Sequence, residues 1–357
     1  MGGTGMTLKD IAKTAGVSVS TVSRVLNDRD TKAASRETRE KIWKIIRETG
    51  YIPNANAQQL RGNVQPVRLD EKKRYFAFIY ARSQDNKDMF FSELASAIEY
   101  EAYKHNLILK YSFYSRDLDD VSFLASLGSS EINGIVVLGR FSEERMNAIA
   151  EAQKNVVYVG LNRSTSKHDT VYCDGYLAGM LAMETLLNNG HTEIAYLGEK
   201  NKENRYLSYC QALEKAGMKP DHQRIVDTEQ TLDGGYSAAK TLIQRNVPFS
   251  AVFCANDATA IGAIKALQEH SIRVPNDVSV IGIDDVEMAR YFTPMLTTVH
   301  IPITELGKQA AKTLIDRIHR GHSLPVKIEL PISLAKRDSC IVKSSGLHRT
   351  YSQTESR

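Results

Sequence analysis

Val19, Ser20, Thr21, Ser23 and Arg24 fall together on one face of a short helical run, VSVSTVSRVLN, whose other face is Val22, Val25 and Leu26. Small and polar residues around a single guanidinium suit one kind of chemistry. They let a helix lie close against base edges while the arginine grips guanine O6 and N7 in a major groove. A helix facing only solvent would carry more Lys and Glu there. A second set of residue types recurs where apolar runs end: Arg82-Ser-Gln-Asp85, Gly139-Arg140-Phe141, Asn162-Arg163, Gly198-Glu199-Lys200, Asn256-Asp257 and Asp284-Asp285. Asp174, just beyond Val171–Cys173, joins them. Carboxylates and guanidiniums bridge neighbouring hydroxyls, and a ring of Phe90-Phe91 can cover an apolar sugar face. This set points to a polyhydroxylated ligand rather than to a reaction.

The first set needs a helix-turn-helix to present it. Leu8, Ile11, Ala12 and Ala15 recur at helical spacing behind a capping pattern of Thr7 and Asp10, and Ala15-Gly16-Val17 supplies the tight turn. Ser18 can cap the second helix. A third helix fits Arg36 to Thr49, capped by Ser35 and stopped at Gly50. Asn54-Ala-Asn-Ala-Gln-Gln-Leu60-Arg61-Gly62 is rich in helix formers but has almost no apolar face, so it folds only against something. There Leu60 suits a wedge entering a minor groove; an ordinary polar linker is the other reading.

The second set needs strand ends. YFAFIYA (75–81), LILKYSF (107–113), GIVVLG (134–139) and VVYVGL (156–161) read as strands, and so do EIAYLG (193–198), RIVDT (224–228), SAVFCAN (250–256) and DVSVIGI (277–283). Leu94, Ile98 and Ala102 mark a helix between the first two, and further helices begin near Tyr176, Asn204, Gly235, Asp257 and Thr304. Alternation of this kind predicts two doubly wound parallel α/β lobes in tandem, with ligands at the carboxyl ends of the strands. The expected organisation is a helix-turn-helix head over 6–53, a hinge helix over 54–62, a two-lobed core over 63–343 and a disordered tail over 344–357. Leu296–Ile301 is expected to return to the first lobe and Val326–Leu334 to the second, a double crossover. The lobes would then comprise about 74–162 with 292–323, and about 163–291 with 324–343.

Charge is unevenly placed along the 357 residues: residues 6–62 carry +5, while the rest carries −1 of the total of +4. A basic head on a near-neutral body implies a polyanionic partner for the head alone. No apolar run approaches membrane-spanning length and the N-terminus lacks a secretory layout, so a cytoplasmic location is expected. Cys173, Cys210, Cys254 and Cys340 lie far apart without CxxC spacing, so no zinc site or disulfide framework is expected. Asp284-Asp285 lacks further ligands at metal spacing. Neither a nucleophile elbow nor HExxH is present, and Tyr80-Ala-Arg-Ser-Gln-Asp85 has no glycine where a dinucleotide fingerprint would need three. An enzyme, a metal and a cofactor are therefore not expected.

The motifs resemble the lactose-repressor/galactose-repressor family of bacterial transcription regulators. LKDIAKTAGVSVSTVSRVLN is similar to its headpiece and YIPNANAQQLRG to its hinge. HTEIAYLG, CANDATAIGAIKAL, VPNDVSVIGIDD and MLTTVHIPITELG are similar to its core. The resemblance implies DNA contacts from Thr7, Ser18, Val19, Ser20, Thr21, Ser23, Arg24 and Asn27 of the head and from Asn54, Ala57, Gln58 and Leu60 of the hinge. It implies effector contacts from Phe91, Asp174, Arg205, Asn256 and Asp284. This chain has Ser208 where the family pattern after the arginine has glycine, and Lys87-Asp-Met-Phe90-Phe91 where Asn-Pro-Phe-Phe is common.

The expected function is a homodimeric repressor on a near-palindromic operator, because a two-fold protein matches a two-fold site. A sugar between the lobes, a galactoside by similarity to the β-galactoside-responsive members, would alter their closure and weaken DNA binding. A coupling of about 1–3 kcal/mol is enough for that. A purine-type corepressor, which would strengthen DNA binding, and a solute-binding protein without DNA function are the alternatives.

Overall fold

The computed structural model describes residues 8–22, 35, 38, 41, 42, 45, 73–81, 88–119, 127, 128, 131–162 and 168–343. The chain separates into two units, residues 1–71 and 72–357. In the first, α1 (Leu8–Ala15) ends at Gly16, whose φ of +72° is the left-handed conformation that a residue without Cβ adopts freely. A second helical stretch follows at 19–22. Ile11, Ala12, Ala15, Val22, Ile42 and Ile45 are buried together, so the apolar stripes of three segments form one small core.

The second unit is built on two six-stranded sheets. The first runs β11-β5-β4-β3-β1-β2 and is parallel throughout. Its strands are β1 (Arg74–Tyr80), β2 (Leu107–Tyr114), β3 (Gly134–Leu138), β4 (Val156–Gly160), β5 (Asp169–Tyr172) and β11 (Lys327–Glu329). The second runs β12-β10-β9-β8-β6-β7, from β6 (Ile194–Leu197), β7 (Ile225–Val226), β8 (Ala251–Cys254), β9 (Ser279–Asp284), β10 (Thr297–His300) and β12 (Ser333–Ala335). Only β12 pairs antiparallel in that sheet. β3, β4, β6 and β8 are buried along their whole length, as covering a parallel sheet on both faces requires.

The covering helices are α2 (Met89–Tyr103), α3 (Glu143–Ala152), α4 (Gly175–Asn188), α5 (Asn204–Lys215), α6 (Leu232–Gln244), α7 (Asp257–Glu269) and α8 (Ile303–Ile318). All but α8 start on a side-chain cap: Asp88, Ser142, Asp174, Glu203, Thr231 and Asn256 respectively. Such caps satisfy amides that a helix leaves without partners.

The expected lobe membership of three segments is corrected. Thr297–His300 pairs in register with Ile281–Asp284 of the second sheet, not with the first. Lys327–Glu329 pairs with Thr170–Tyr172 of the first sheet, and only Ser333–Ala335 joins the second. β5 itself, expected in the second lobe, pairs with β4 of the first. One buried carboxylate explains the placement of β11. Asp169 accepts from Arg317 at the end of α8, from His322 Nε2 at 2.9 Å and from the Val326 amide at 2.8 Å, which draws the returning chain alongside β5. The chain crosses between the lobes three times, after β5, after β10 and between β11 and β12. The expected hinge helix over 54–62 and the tail over 344–357 lie outside the described residues.

Candidate functional site

In the head, Ser18 Oγ accepts the Thr21 amide at 3.1 Å, which makes it the cap expected of it. Ser20 Oγ and Thr21 Oγ1 gather around the same oxygen at 2.7 and 2.8 Å. Ser18 and Ser20 are exposed, Thr21 is half-buried, and Val19 packs partly against the small core, so Val19 offers a groove only part of its surface. Thr7, Ser23, Arg24, Asn27, Asn54, Ala57, Gln58 and Leu60 lie outside the described residues.

In the core, both sheets share one strand order up to their last edge strand, 2-1-3-4-5 in the first and 7-6-8-9-10 in the second. The order reverses between β1 and β3 and again between β6 and β8, and open parallel sheets bind ligands outside the strand ends at such reversals. A cavity of ≈ 200 Å³ joins the two crevices. Ala81 follows β1, while Gly139 and Arg140 follow β3; Glu199 follows β6, and Asn256 lies just past β8. Asp284 enters from the end of β9, and Asp88 and Phe91 from the start of α2. Gly139 has a φ of +92°, and a Cβ there would lie 3.1 Å from the Phe91 ring, so glycine lets that ring reach the cavity.

Four of the five expected effector residues line this cavity: Phe91, Arg205, Asn256 and Asp284. Asp174 is not among its lining residues. It caps α4 by accepting from the Tyr176 and Leu177 amides at 2.9 and 3.2 Å. Asp284 and Asp285 both hold positive φ, 132° and 58°, a conformation that costs a non-glycine residue about 1–3 kcal/mol. The turn sends the two carboxylates apart. Asp284 lines the cavity, whereas Asp285 binds Arg290, Arg337 and His300. Burial opposes ionisation of Asp285, but hydrogen bonds from Arg337 and Arg290 hold its carboxyl below the usual range.

Arg205 spends four guanidinium hydrogen bonds within the chain. Its Nε and Nη2 grip the two oxygens of Glu203 at 2.7 and 3.0 Å, Nη1 donates to Ala255 O, and Nη2 also reaches Gln230 Oε1. Glu203 was not expected at the site. Its carboxylate also accepts from Gln230 Nε2 at 3.2 Å and, across the cleft, from Arg140 Nη1 at 2.9 Å. Burial would raise its pKa, yet the Arg205 charge and hydrogen bonds outweigh that and bring it down to about 2. Arg140 also binds Glu199 and the Lys202 carbonyl, so it is an inter-lobe tie rather than the solvated strand-end charge its position suggests. Asn204 Nδ2 donates to Asn162 Oδ1 at 2.8 Å beside it. Asn256 Oδ1 caps α7 through the Thr259 amide and hydroxyl, and its Nδ2 donates to Gln230 O.

Residues 7–54 match the family model for bacterial regulatory proteins of the lacI family, and residues 183–340 match that for a periplasmic binding protein-like domain. The HTH-type transcriptional repressor PurR of Erwinia tasmaniensis is 31% identical over 353 residues, which cover 97% of this chain and 99% of the relative. The structure of a transcriptional regulator CelR–cellobiose complex superposes with a TM-score of 0.67 at 26% identity, over 94% of this chain and 99% of that one. A LacI family transcriptional regulator from Enterococcus faecium with bound ribose superposes with a TM-score of 0.66 at 28% identity, over 76% of this chain and all (100%) of that one. No described helix is long and apolar enough to cross a membrane. Head and core thus match in order, and the chain belongs to the lacI family of bacterial regulatory proteins: it is a DNA-binding transcriptional repressor.

Proposed function

We propose that the chain works in the cytoplasm as a homodimer on a pseudo-palindromic operator, and represses a carbohydrate-utilisation operon until a sugar enters the cleft. The observation that carries this reading is the pairing of two sheet crevices around one cavity that holds carboxylates, an amide and the Phe91 ring. Those groups bridge vicinal hydroxyls and cover an apolar sugar face. The cavity of ≈ 200 Å³ falls below the roughly 300–1,000 Å³ of drug-sized pockets, which favours a monosaccharide or simple glycoside. A sugar that changes the angle between the lobes needs only about 1–3 kcal/mol of coupling to release the operator.

Calorimetry of the full chain against mono- and disaccharides, galactosides first, tests this, with operator affinity measured beside it on duplexes selected from a random pool. The expected result is one sugar that binds and weakens operator binding at least tenfold. Asp284→Asn should lower that sugar's affinity about tenfold and leave effector-free operator binding unchanged. Arg24→Ala should cost about 1–3 kcal/mol of base discrimination.

A second reading has support in the PurR relatives, at 31–32% identity, and in Phe91, whose ring also suits a flat base. A purine corepressor would raise operator affinity. Tight binding of a purine base with no binding of any sugar would decide for it.

A further inference from the structure

We propose that the cleft selects uncharged effectors, because Glu203 occupies from within the chain the place that a phosphate or carboxylate of an anionic ligand would take. The proposal rests on the cleft being the effector site and holds for a sugar or a purine alike.

Two converging guanidiniums would by themselves mark an anion site. Here both already hold a carboxylate. Arg205 grips Glu203 bidentately at 2.7 and 3.0 Å, and Arg140 reaches the same carboxylate from the other lobe at 2.9 Å. With the Arg205 amide at 3.1 Å and Gln230 Nε2 at 3.2 Å, Glu203 accepts five hydrogen bonds, a full complement for an ionised carboxylate. The arrangement is that of an arginine-bound anionic ligand, with the anion supplied by the residue two places before Arg205.

The helix termini are closed to anions in the same way. α2, α5 and α7 all begin at the cleft, where free first-turn amides would cradle a phosphate. The chain's own side chains take those amides: Asp88 binds Phe90 and Phe91, Glu203 binds Arg205, and Asn256 binds Thr259. The lining also sets four carboxylates, Asp88, Glu199, Glu203 and Asp284, against two guanidiniums, a formal charge of −2. A like charge brought into a partly desolvated cleft meets repulsion that bulk water would screen. A hydroxyl or a ring amide meets none.

The test is calorimetry of the full chain with pairs that differ by a phosphate: galactose against galactose 6-phosphate, ribose against ribose 5-phosphate, and inosine against inosine 5′-monophosphate, with hypoxanthine measured beside the last. In whichever pair binds, the neutral member should bind at least tenfold tighter. Glu203→Gln should narrow or invert that ratio by tenfold or more, and Glu199→Gln, which leaves Arg205 untouched, should narrow it several-fold. Thermal shift with inorganic phosphate reads the same point without a known effector: the wild type should not respond up to about 10 mM, and Glu203→Gln should gain a saturable rise in Tm. Equal or tighter binding of a phosphate ester by the wild type overturns the proposal, and so does a saturable phosphate response in the wild type. Ratios and phosphate response unchanged in both variants overturn it too. Binding of hypoxanthine, with inosine preferred over its 5′-monophosphate and neither galactose nor ribose bound, would end the sugar reading and leave the charge selection standing.

Discussion

Arg140 Nη1 lies 2.9 Å from Glu203 Oε2, so one guanidinium at the end of a first-lobe strand ties the second lobe across the cleft. Glu203 keeps Arg205 when Arg140 is removed, so Arg140→Ala should loosen the lobes without leaving a bare buried charge. A charge-assisted hydrogen bond is worth about 1.5–3 kcal/mol, and the 31% exposure of the Arg140 side chain places this one at the low end or below. Small-angle scattering of the unliganded variant should show a larger radius of gyration, with Tm lower by a few degrees. An unchanged scattering curve would remove Arg140 from this role.

Acid should report on Glu203. Its folded pKa of about 2 lies below the unfolded carboxylate value, so the stability it contributes is present above about pH 4.5 and is lost as pH falls through 2. The full contribution is about 3 kcal/mol at 1.36 kcal/mol per pKa unit. Denaturation of wild type and Glu203→Gln between pH 5 and pH 2 should show the gap between them closing as pH falls. A gap that stays constant would mean the carboxylate is not held ionised by its neighbours.

Base should report on His322. Its pKa is raised above the usual 6.5, first by the Asp316 hydrogen bond and then, against burial, by Asp169. A raised histidine contributes stability that is complete below about pH 6.5 and is lost as pH rises through the folded value. Hydrogen exchange at the amides of β11, which the Asp169 cluster anchors, should accelerate beyond its intrinsic pH dependence above pH 6.5 in the wild type. In His322→Gln that extra acceleration should be absent.

Glu203 was not legible as a site residue, and the reason is physical. The eight apolar runs read as strands all appear as strands, because strands of a parallel sheet packed under helices read as near-continuous apolar runs. The four lining residues Phe91, Arg205, Asn256 and Asp284 follow from strand ends and from the family motif. Glu203 has neither signal. An acidic residue at a helix start reads as an ordinary cap, and only the fold shows that its carboxylate meets arginines from both lobes. Arg140 stood at a strand end, but its partners lie about 60 residues on. The sheet membership of the last strands is hidden from the sequence for a related reason. A short run such as Thr297–His300, with Val299 its one apolar residue, does not state which sheet edge is open to receive it. A side chain could have hinted at the answer: Asp169, buried at the head of β5, needed cations, and Arg317 and His322 supply them from the returning chain.

Gly139→Ala should test the shape of the cavity. At φ +92° an added Cβ meets Ala81 Cβ at 3.0 Å and the Phe91 ring at 3.1 Å. A backbone cost of about 1 kcal/mol or more is expected, together with displacement of Phe91. Effector affinity should fall by more than operator affinity. Equal loss of both would show that the glycine serves folding alone.

Three passages of chain between the lobes have a mechanical consequence. Two rigid bodies joined by one tether can twist, shear and bend against each other. Three tethers that leave at the ends of β5, β10 and β11 suppress torsion and sliding, since those motions would stretch one passage while slackening another. What survives is close to a single degree of freedom, rotation about the line the passages define. Whatever occupies the cleft can then be registered only as an angle, and ligands of quite different chemistry that set the same angle would be indistinguishable downstream.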